Sequence, residues 1–476
     1  MDRPHIPALR LGRAYESLEK IDARDHRSGE PIAAVSQVNA GIIRRDLARS
    51  EASRAALKKF TCAHLVQMCA QAAEVFMNST LPFGDKGHTQ SPQQYIETLS
   101  STSGLPYVLA RRNMNRINTV LSQMETILRG LTRGLGLSIL DKGFGEQGGS
   151  AVSYVAMTNS LGVIMPSNSP AVNSLWLPAI ALKVPVVLKP GREEPFTPWR
   201  LIQSFLAAGV PAEAFGFYPT DHEGVEEILR LCGCAQLFGD QTVTDRYAGD
   251  SRIEIHGPGY SKILIGPDEV ERWPDYLDLM VDSISQNGGR SCLNASAIVV
   301  PAHADEIADS LAERLGPVGP RPIDDESAVL AGFPNPKVAE SINAAIDEGL
   351  QTFGAEEVTA KYRSGPRLVT HNGAVYLRPT IVRCDSFAHP LAIREYLFPY
   401  ASVLEVPPTK MAGSIGSSLV VTAITRDERL IEQLMESPQI RRLNIGPLST
   451  MQVAWDQPHE GNLFELLYKR RAIQRV

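Results

Sequence analysis

Gly162-Val163-Ile164-Met165-Pro166-Ser167-Asn168-Ser169-Pro170 opens the stretch that decides the fold, and Pro185-Val186-Val187-Leu188-Lys189-Pro190 closes it. Each block is a short run of apolar, mostly β-branched residues ended by proline, which reads as a buried strand feeding a tight turn. Between them, residues 171–182 carry no charge and read as an apolar helix. A strand, a buried helix and a second strand make a unit whose two strands lie parallel.

Outward from this unit the alternation continues. Further strands are expected at 214–218, 235–238, 253–255 and 263–265, with helices at 198–208 and 223–231 separating the first of them. A second α/β run is expected from 273 onward, with helix 275–287, strand 297–300 and helix 304–315. Upstream, a turn at Ser28-Gly29-Glu30-Pro31 leads into a short strand at 32–35. Residues 40–78 and 106–131 have helical spacing, and 82–103, rich in Gly, Pro, Ser and Thr, reads as a loop. Clustered glycines from Gly130 to Gly149 end these helices and precede a hairpin. The class is α/β, with a parallel sheet and helices on both faces.

The chain has 476 residues, so at roughly 150 residues per domain two or three domains are expected. It is 43% hydrophobic and 21% charged, which excludes a disordered chain, a coiled coil and a fibrous repeat. A net charge of -6 argues against nucleic acid as a main partner. Six cysteines are too few for a disulfide scaffold. Cys232 and Cys234 have only Gly233 between them, closer than a zinc knuckle, so they read as structural and no metal site is expected. The polar start leads into no apolar run, and no window approaches about 18 residues that are both uncharged and apolar. A cytoplasmic protein without a membrane partner is therefore expected. The basic cluster Lys469-Arg470-Arg471 reads as a solvated face.

Chemistry concentrates in Gln286-Asn287-Gly288-Gly289-Arg290-Ser291-Cys292-Leu293-Asn294-Ala295-Ser296. Paired glycines end a helix there, and a single cysteine sits in a tight turn before a strand. Glycine lets backbone N–H groups approach a ligand, and a cysteine so placed can be a nucleophile with oxyanion donors beside it. On this stretch alone, a small buried cysteine is the favoured reading.

Taken with the opening stretch, this segment resembles the aldehyde dehydrogenase superfamily. The Pro-x-Asn-x-Pro turn, the apolar helix and the strand ending in Lys189-Pro190 are similar to that family's cofactor-domain core. Gly289-Arg290-Ser291-Cys292 is similar to its nucleophile segment. Arg394-Glu395-Tyr396-Leu397-Phe398-Pro399, after Arg378-Pro379-Thr380-Ile381-Val382, is similar to its Glu-x-Phe-Gly-Pro segment. The resemblance covers about residues 28–460.

The resemblance implies an aldehyde dehydrogenase-like fold. A Rossmann-like NAD(P)-binding domain would span 1–133 and 156–262, and an α/β catalytic domain 263–450. A small oligomerisation flap would comprise 134–155 and 451–476, giving a homodimer or homotetramer. It also implies an oxidoreductase using NAD or NADP, in which Cys292 attacks an aldehyde and hydride transfer leaves a thioester. Asn168 and the Cys292 N–H would hold the oxyanion. Ser167, Lys189, Arg192, Gly239, Asp240, Glu395 and Phe398 would line the cofactor site, with Lys189 on a ribose.

Four departures qualify this. Hydrolytic members carry a glutamate as deacylation base where this chain has Ile253-Glu254-Ile255-His256-Gly257-Pro258-Gly259. His256 takes the base position, and Glu254 lies two residues earlier on the same strand face, about 6.6 Å back. The Gly-Pro-Gly run looks like the coenzyme A-acylating branch, which makes coenzyme A a second candidate acyl acceptor. Arg192 stands where NAD-preferring members have an acid, which allows NADP, although Glu193 and Glu194 are at hand. Asp240 follows Leu237-Phe238-Gly239 where a serine is usual, and would repel phosphate unless it caps the next helix. The aromatic clamp position holds Leu397, or shifts to Phe398. Two alternatives stay open: a coenzyme A-acylating dehydrogenase or acyl-thioester reductase, and a non-catalytic member that keeps the fold for assembly.

Overall fold

A computed structural model describes residues 3–458 and 460–474 of the chain. The strands Leu161–Ile164 and Val186–Lys189 pair in parallel, with Leu161 opposite Val186 and Ile164 opposite Lys189. Every residue of Leu161–Ile164 is buried, as a central strand covered on both faces requires. Around this pair a seven-stranded sheet runs in the order Ile253–His256, Cys234–Phe238, Leu161–Ile164, Val186–Lys189, Phe215–Phe217, Ala8–Arg10, Arg13–Tyr15. The first five strands are parallel and the last two join antiparallel.

A second seven-stranded sheet has the order Ala355–Glu357, Thr380–Cys384, Tyr400–Glu405, Ala297–Val300, Lys262–Ile265, Ser418–Ile424, Ile440–Ile445. It is parallel except at Ala355–Glu357. Each large sheet carries apolar layers on both faces, with Trp176, Phe205 and Phe217 in one and Ile298, Leu311 and Val403 in the other. The hairpin Phe144–Gln147 and Ser150–Ala156 pairs with Tyr468–Arg471 in a separate three-stranded antiparallel sheet. Lys469, Arg470 and Arg471 are exposed there, the solvated face expected.

Three local expectations are corrected. Residues 82–103 are not a loop, because Pro92–Ser103 is an α-helix. Its start is a capping box: Ser91 Oγ accepts from Gln94 N, the Gln94 side chain accepts from Ser91 N, and Pro92 occupies the first turn. The 171–182 helix is broken into a 3-10 turn at Pro170–Leu175 and a short α-helix at Leu177–Ala181. Pro178, lacking an N–H, restarts the winding rather than continuing it. The helix expected at 275–287 runs Leu277–Ser285 and ends because Asn287 and Gly288 adopt left-handed backbone, with φ of 56° and 67°.

What positions the site is the strand order of the first sheet. From Leu161–Ile164 the chain steps outward through Val186–Lys189 to Phe215–Phe217, then returns to the other side of its first strand at Cys234–Phe238. The carboxyl ends of Ile164 and Phe238 therefore splay apart at a switch point, where open α/β sheets bind their ligands.

Candidate active site

The two loops leaving the switch point, with Pro166–Asn168 on one and Phe238–Asp240 on the other, wall one side of a cavity of about 550 Å³. Cys292, Glu395 and Leu397 enter from the second sheet's side, and Val453, Trp455 and Glu460 close it from the C-terminal segment. Among the expected site residues, Ser167, Asn168, Gly239, Asp240, His256, Cys292 and Glu395 all line this one cavity.

The nucleophile turn is braced from below. Asn294 accepts from Ser291 N at 2.9 Å and donates to the Ser283 and Gln286 carbonyls at 3.0 Å each. Arg290 is fully buried and donates to the Ser103 and Gly332 carbonyls, which anchors the residue two before Cys292. Ser261 Oγ donates to the Cys292 carbonyl at 2.7 Å. Gly259 passes so close that a Cβ there would sit 2.1 Å from the same oxygen, so the turn needs glycine at that position. Held this way, Cys292 is half-buried, whereas the five other cysteines are buried.

Burial pushes the Cys292 thiol well above its ordinary value, and the nearby charges of Glu460 and Glu395 push it further. The resting group is therefore a thiol that needs a base. Its Sγ donates to Glu460 Oε1 at 3.4 Å. Asn168 reaches toward the same turn, its Nδ2 making only a long bond of 3.4 Å to the Arg290 carbonyl. Asn168 Oδ1 is buried and has no hydrogen-bond partner among the described residues. An amide so loosely held can turn its N–H toward an incoming oxygen.

His256 lies flat on Phe238, ring centroids 4.4 Å apart, between two carboxylates. Its Nδ1 is 3.4 Å from Glu460 Oε2 and its Nε2 is 3.4 Å from Glu254 Oε2. Burial alone would lower its pKa, but the bonds and charges of Glu254 and Glu460 outweigh it and raise the imidazole to about 9. That shift favours the imidazolium, which cannot take a proton from water, and so speaks against the base role expected of it. Glu254 does share a strand face with it, as strand alternation requires, and accepts from Gln236 Nε2 at 3.0 Å.

The cofactor candidates divide. Ser167 Oγ donates to Glu193 Oε2 at 2.7 Å, which presents that carboxylate to the cavity. Glu194 does not share this place: it is buried, raised to about 8 by burial, and accepts from Thr197 N and Oγ1 at 2.8 Å. Lys189 ends its strand and does not itself line the cavity, its amine lowered by burial and raised in part by Glu193. Arg192 is exposed and does not line the cavity. Asp240 accepts from Val243 N at 3.0 Å as the cap of helix Gln241–Tyr247, the arrangement in which it need not repel a phosphate. Glu395 Oε2 accepts from Gly259 N and Tyr260 N, both at 2.8 Å. Burial raises its carboxyl to about 7 despite these bonds. Phe398 is also corrected: it is 3% exposed and packs with Tyr396 and Tyr400 in the core, leaving Leu397 to face the cavity.

Glu460 was missed. It stands in Gln457-Pro458-His459-Glu460-Gly461, with no periodicity or spacing that ties it to Cys292. The one local signal is Gly461, whose φ of +99° and close approach to Glu254 allow the segment to turn at the cavity floor.

The family described as the aldehyde dehydrogenase family matches residues 14–412. The aminoacetaldehyde dehydrogenase of Pseudomonas aeruginosa is 26% identical over 270 residues, 52% of this chain and 51% of that protein. Among solved structures, the aldehyde dehydrogenase KauB from Pseudomonas aeruginosa superposes with a TM-score of 0.80 at 16% identity, covering 99% of this chain and 97% of that one. An indole-3-acetaldehyde dehydrogenase in complex with NAD+ gives 0.79 at 17% identity, covering 99% and 96%. At these identities the structures speak for the fold, and the match across 14–412, which takes in Asn168, Cys292 and Glu395, speaks for the lineage. This chain belongs to the aldehyde dehydrogenase family.

Proposed function

We propose that the protein oxidises an aldehyde through a thioester on Cys292, with a nicotinamide dinucleotide as hydride acceptor. The observation that carries this reading is the convergence of Cys292, Asn168 and the switch-point crevice on a single cavity. Asn168 and the Cys292 N–H serve the developing oxyanion, and the Asn168 amide is free to do so because its one bond in the resting site is long. Leu397 and Pro258 supply apolar wall near the sulfur, which favours charge transfer away from bulk water.

The crevice suits a dinucleotide. The loops at the carboxyl ends of Ile164 and Phe238 flank it, and Glu193 offers a carboxylate beside the Lys189 amine, a pair that suits ribose hydroxyls. When bound there, the nicotinamide would take up the hydride from the carbon attached to sulfur. A carboxylate at Glu193 repels a 2′-phosphate, which favours NAD over NADP, and the indole-3-acetaldehyde dehydrogenase of like fold is seen with NAD+. Glu193→Gln should therefore improve NADP relative to NAD.

The test is a panel of aldehydes with each dinucleotide, read as reduced nicotinamide and as acyl adduct on Cys292 by intact mass. Cys292→Ala should abolish turnover and leave dinucleotide binding unchanged. Turnover retained in that variant overturns the mechanism.

A further inference from the structure

We infer that Glu460 is the proton acceptor of the reaction, that His256 positions it, and that the acyl acceptor it serves is water. This inference rests on the thioester reading above. It begins from contact: Glu460 Oε1 is the acceptor of the Cys292 S–H at 3.4 Å, and its other oxygen faces His256 Nδ1 at 3.4 Å. One carboxylate thus touches the nucleophile with one oxygen and a buried imidazole with the other. His256 is held in turn by Glu254 and by the stacked ring of Phe238.

The segment bearing Glu460 is pinned at several points. Arg116 donates to the Met451 carbonyl at 2.7 Å and Arg442 to the Thr450 carbonyl at 2.6 Å. Asn462 Nδ2 donates to the Leu131 carbonyl at 2.9 Å. Among the described residues, the charged and titratable groups around Glu460 include Cys292, His256, Arg116, Arg442 and Glu395, with Glu254 behind the imidazole. Arg116 and Arg442 set two guanidinium cations near the carboxylate, which is 9% exposed.

Behind Glu460 lies a second cavity of about 50 Å³, lined also by Ser174, Gln236, Glu254 and Gly461. Glu460 and Ser174 border both cavities. Ser174 Oγ and Gln236 Oε1 are buried and have no hydrogen-bond partner among the described residues. A space of this size with polar atoms to satisfy suits a few waters, and Glu460 forms its border with the thioester.

The steps balance. The Cys292 S–H bond breaks and its proton passes to Glu460, while the sulfur pair bonds the aldehyde carbon and the carbonyl pair moves to oxygen. A nicotinamide dinucleotide held in the crevice by Glu193 and Lys189 would supply the oxidant that turns this adduct into a thioester. Glu460, having released its proton to solvent, then takes one from water. The water oxygen bonds the acyl carbon, the C–S bond breaks with its pair on sulfur, Glu460 returns its proton to that sulfur, and a carboxylic acid leaves.

An activated ester, p-nitrophenyl acetate, acylates Cys292 without any nicotinamide and so isolates deacylation. Wild type should release nitrophenolate continuously. Glu460→Gln, close in shape, should give one burst and retain acetyl on Cys292, with deacylation slowed on the order of 10²–10⁴-fold. Glu460→Asp should recover part of the rate. Deacylation in wild type should follow a single ionisation, whereas in Glu460→Gln it should become first order in hydroxide. Deacylation of Glu460→Gln within about threefold of wild type, with its melting curve unchanged, overturns the assignment. Acceleration of wild-type deacylation by coenzyme A far above the rate in water overturns the choice of acceptor. Absence of any acetyl on wild-type Cys292 overturns the thioester reading itself, and the inference with it.

Discussion

Cys292 holds its proton at rest because burial and the carboxylates Glu460 and Glu395 oppose a thiolate. Its reactivity is therefore switched on by proton transfer and not by a standing negative charge. If the Asn168 amide turns to the oxyanion, Asn168→Ala should lower kcat on the order of 10²–10³-fold in steady-state assays, while a loss below about threefold would make it a turn residue. His256 gives a stability prediction whose sign follows from its raised pKa of about 9 against the ordinary 6.5. In the unfolded chain the imidazole loses its proton first, so the stabilisation is complete below about pH 6.5 and is lost as pH rises to about 9. Wild type should exceed His256→Gln in urea midpoint at pH 6, and the gap should close by pH 9 to 10. A gap that widens with pH would mean that the folded protein holds His256 neutral.

At the scale of single elements, helix Pro92–Ser103 shows how caps can outweigh composition. Its sequence is rich in Ser, Thr and Gln, which are weak signals, yet the Ser91–Gln94 capping box and Pro92 define its start. Tyr95 then buries its ring against Phe76, and its hydroxyl meets Thr197 Oγ1 at 2.6 Å. Ser91→Ala should cost about 1 kcal/mol in chemical denaturation with kcat unchanged, because the helix lies away from the cavity. The nucleophile turn behaves oppositely. Gly259→Ala would bring a Cβ within 2.1 Å of the Cys292 carbonyl, so it should reduce kcat with little change in dinucleotide affinity. Titration of dinucleotide binding beside turnover separates these two outcomes.

At the scale of the whole molecule, the cavity is made by parts of the chain that are distant in sequence, among them the switch-point loops, the Cys292 turn, the Glu395–Leu397 segment and the segment before residue 462. The small sheet of Phe144–Gln147, Ser150–Ala156 and Tyr468–Arg471 stands apart from both large sheets and exposes Val155 and Met157. We expect this sheet to mediate a homodimer or homotetramer. Sedimentation of wild type should show that assembly, and Val155→Asp should weaken it; a wild-type monomer at micromolar concentration would remove the assignment. Among the described residues no helix is long and apolar enough to cross a membrane.

Much of this architecture was legible because its signals are local. An apolar β-branched run such as Leu161–Ile164 is a buried strand wherever it pairs, and alternation with helices of ten or so residues selects a parallel sheet. The strand Ala297–Val300 and helix Ala304–Leu315 fall where periodicity put them. Cys292 and Asn168 were visible for the same reason, since their turns are written in adjacent glycines and prolines. The surroundings of His256 and the core placement of Phe398 were not visible, because each depends on which side chains lie across a fold. Glu460 is the extreme case. It is 168 residues from Cys292, and only the closing of the C-terminal segment over the cavity brings carboxylate and thiol together. Local propensity is set by neighbours a few residues away, whereas a proton's position is set by charge and burial summed over everything within several ångströms, and that sum exists only once the chain has folded.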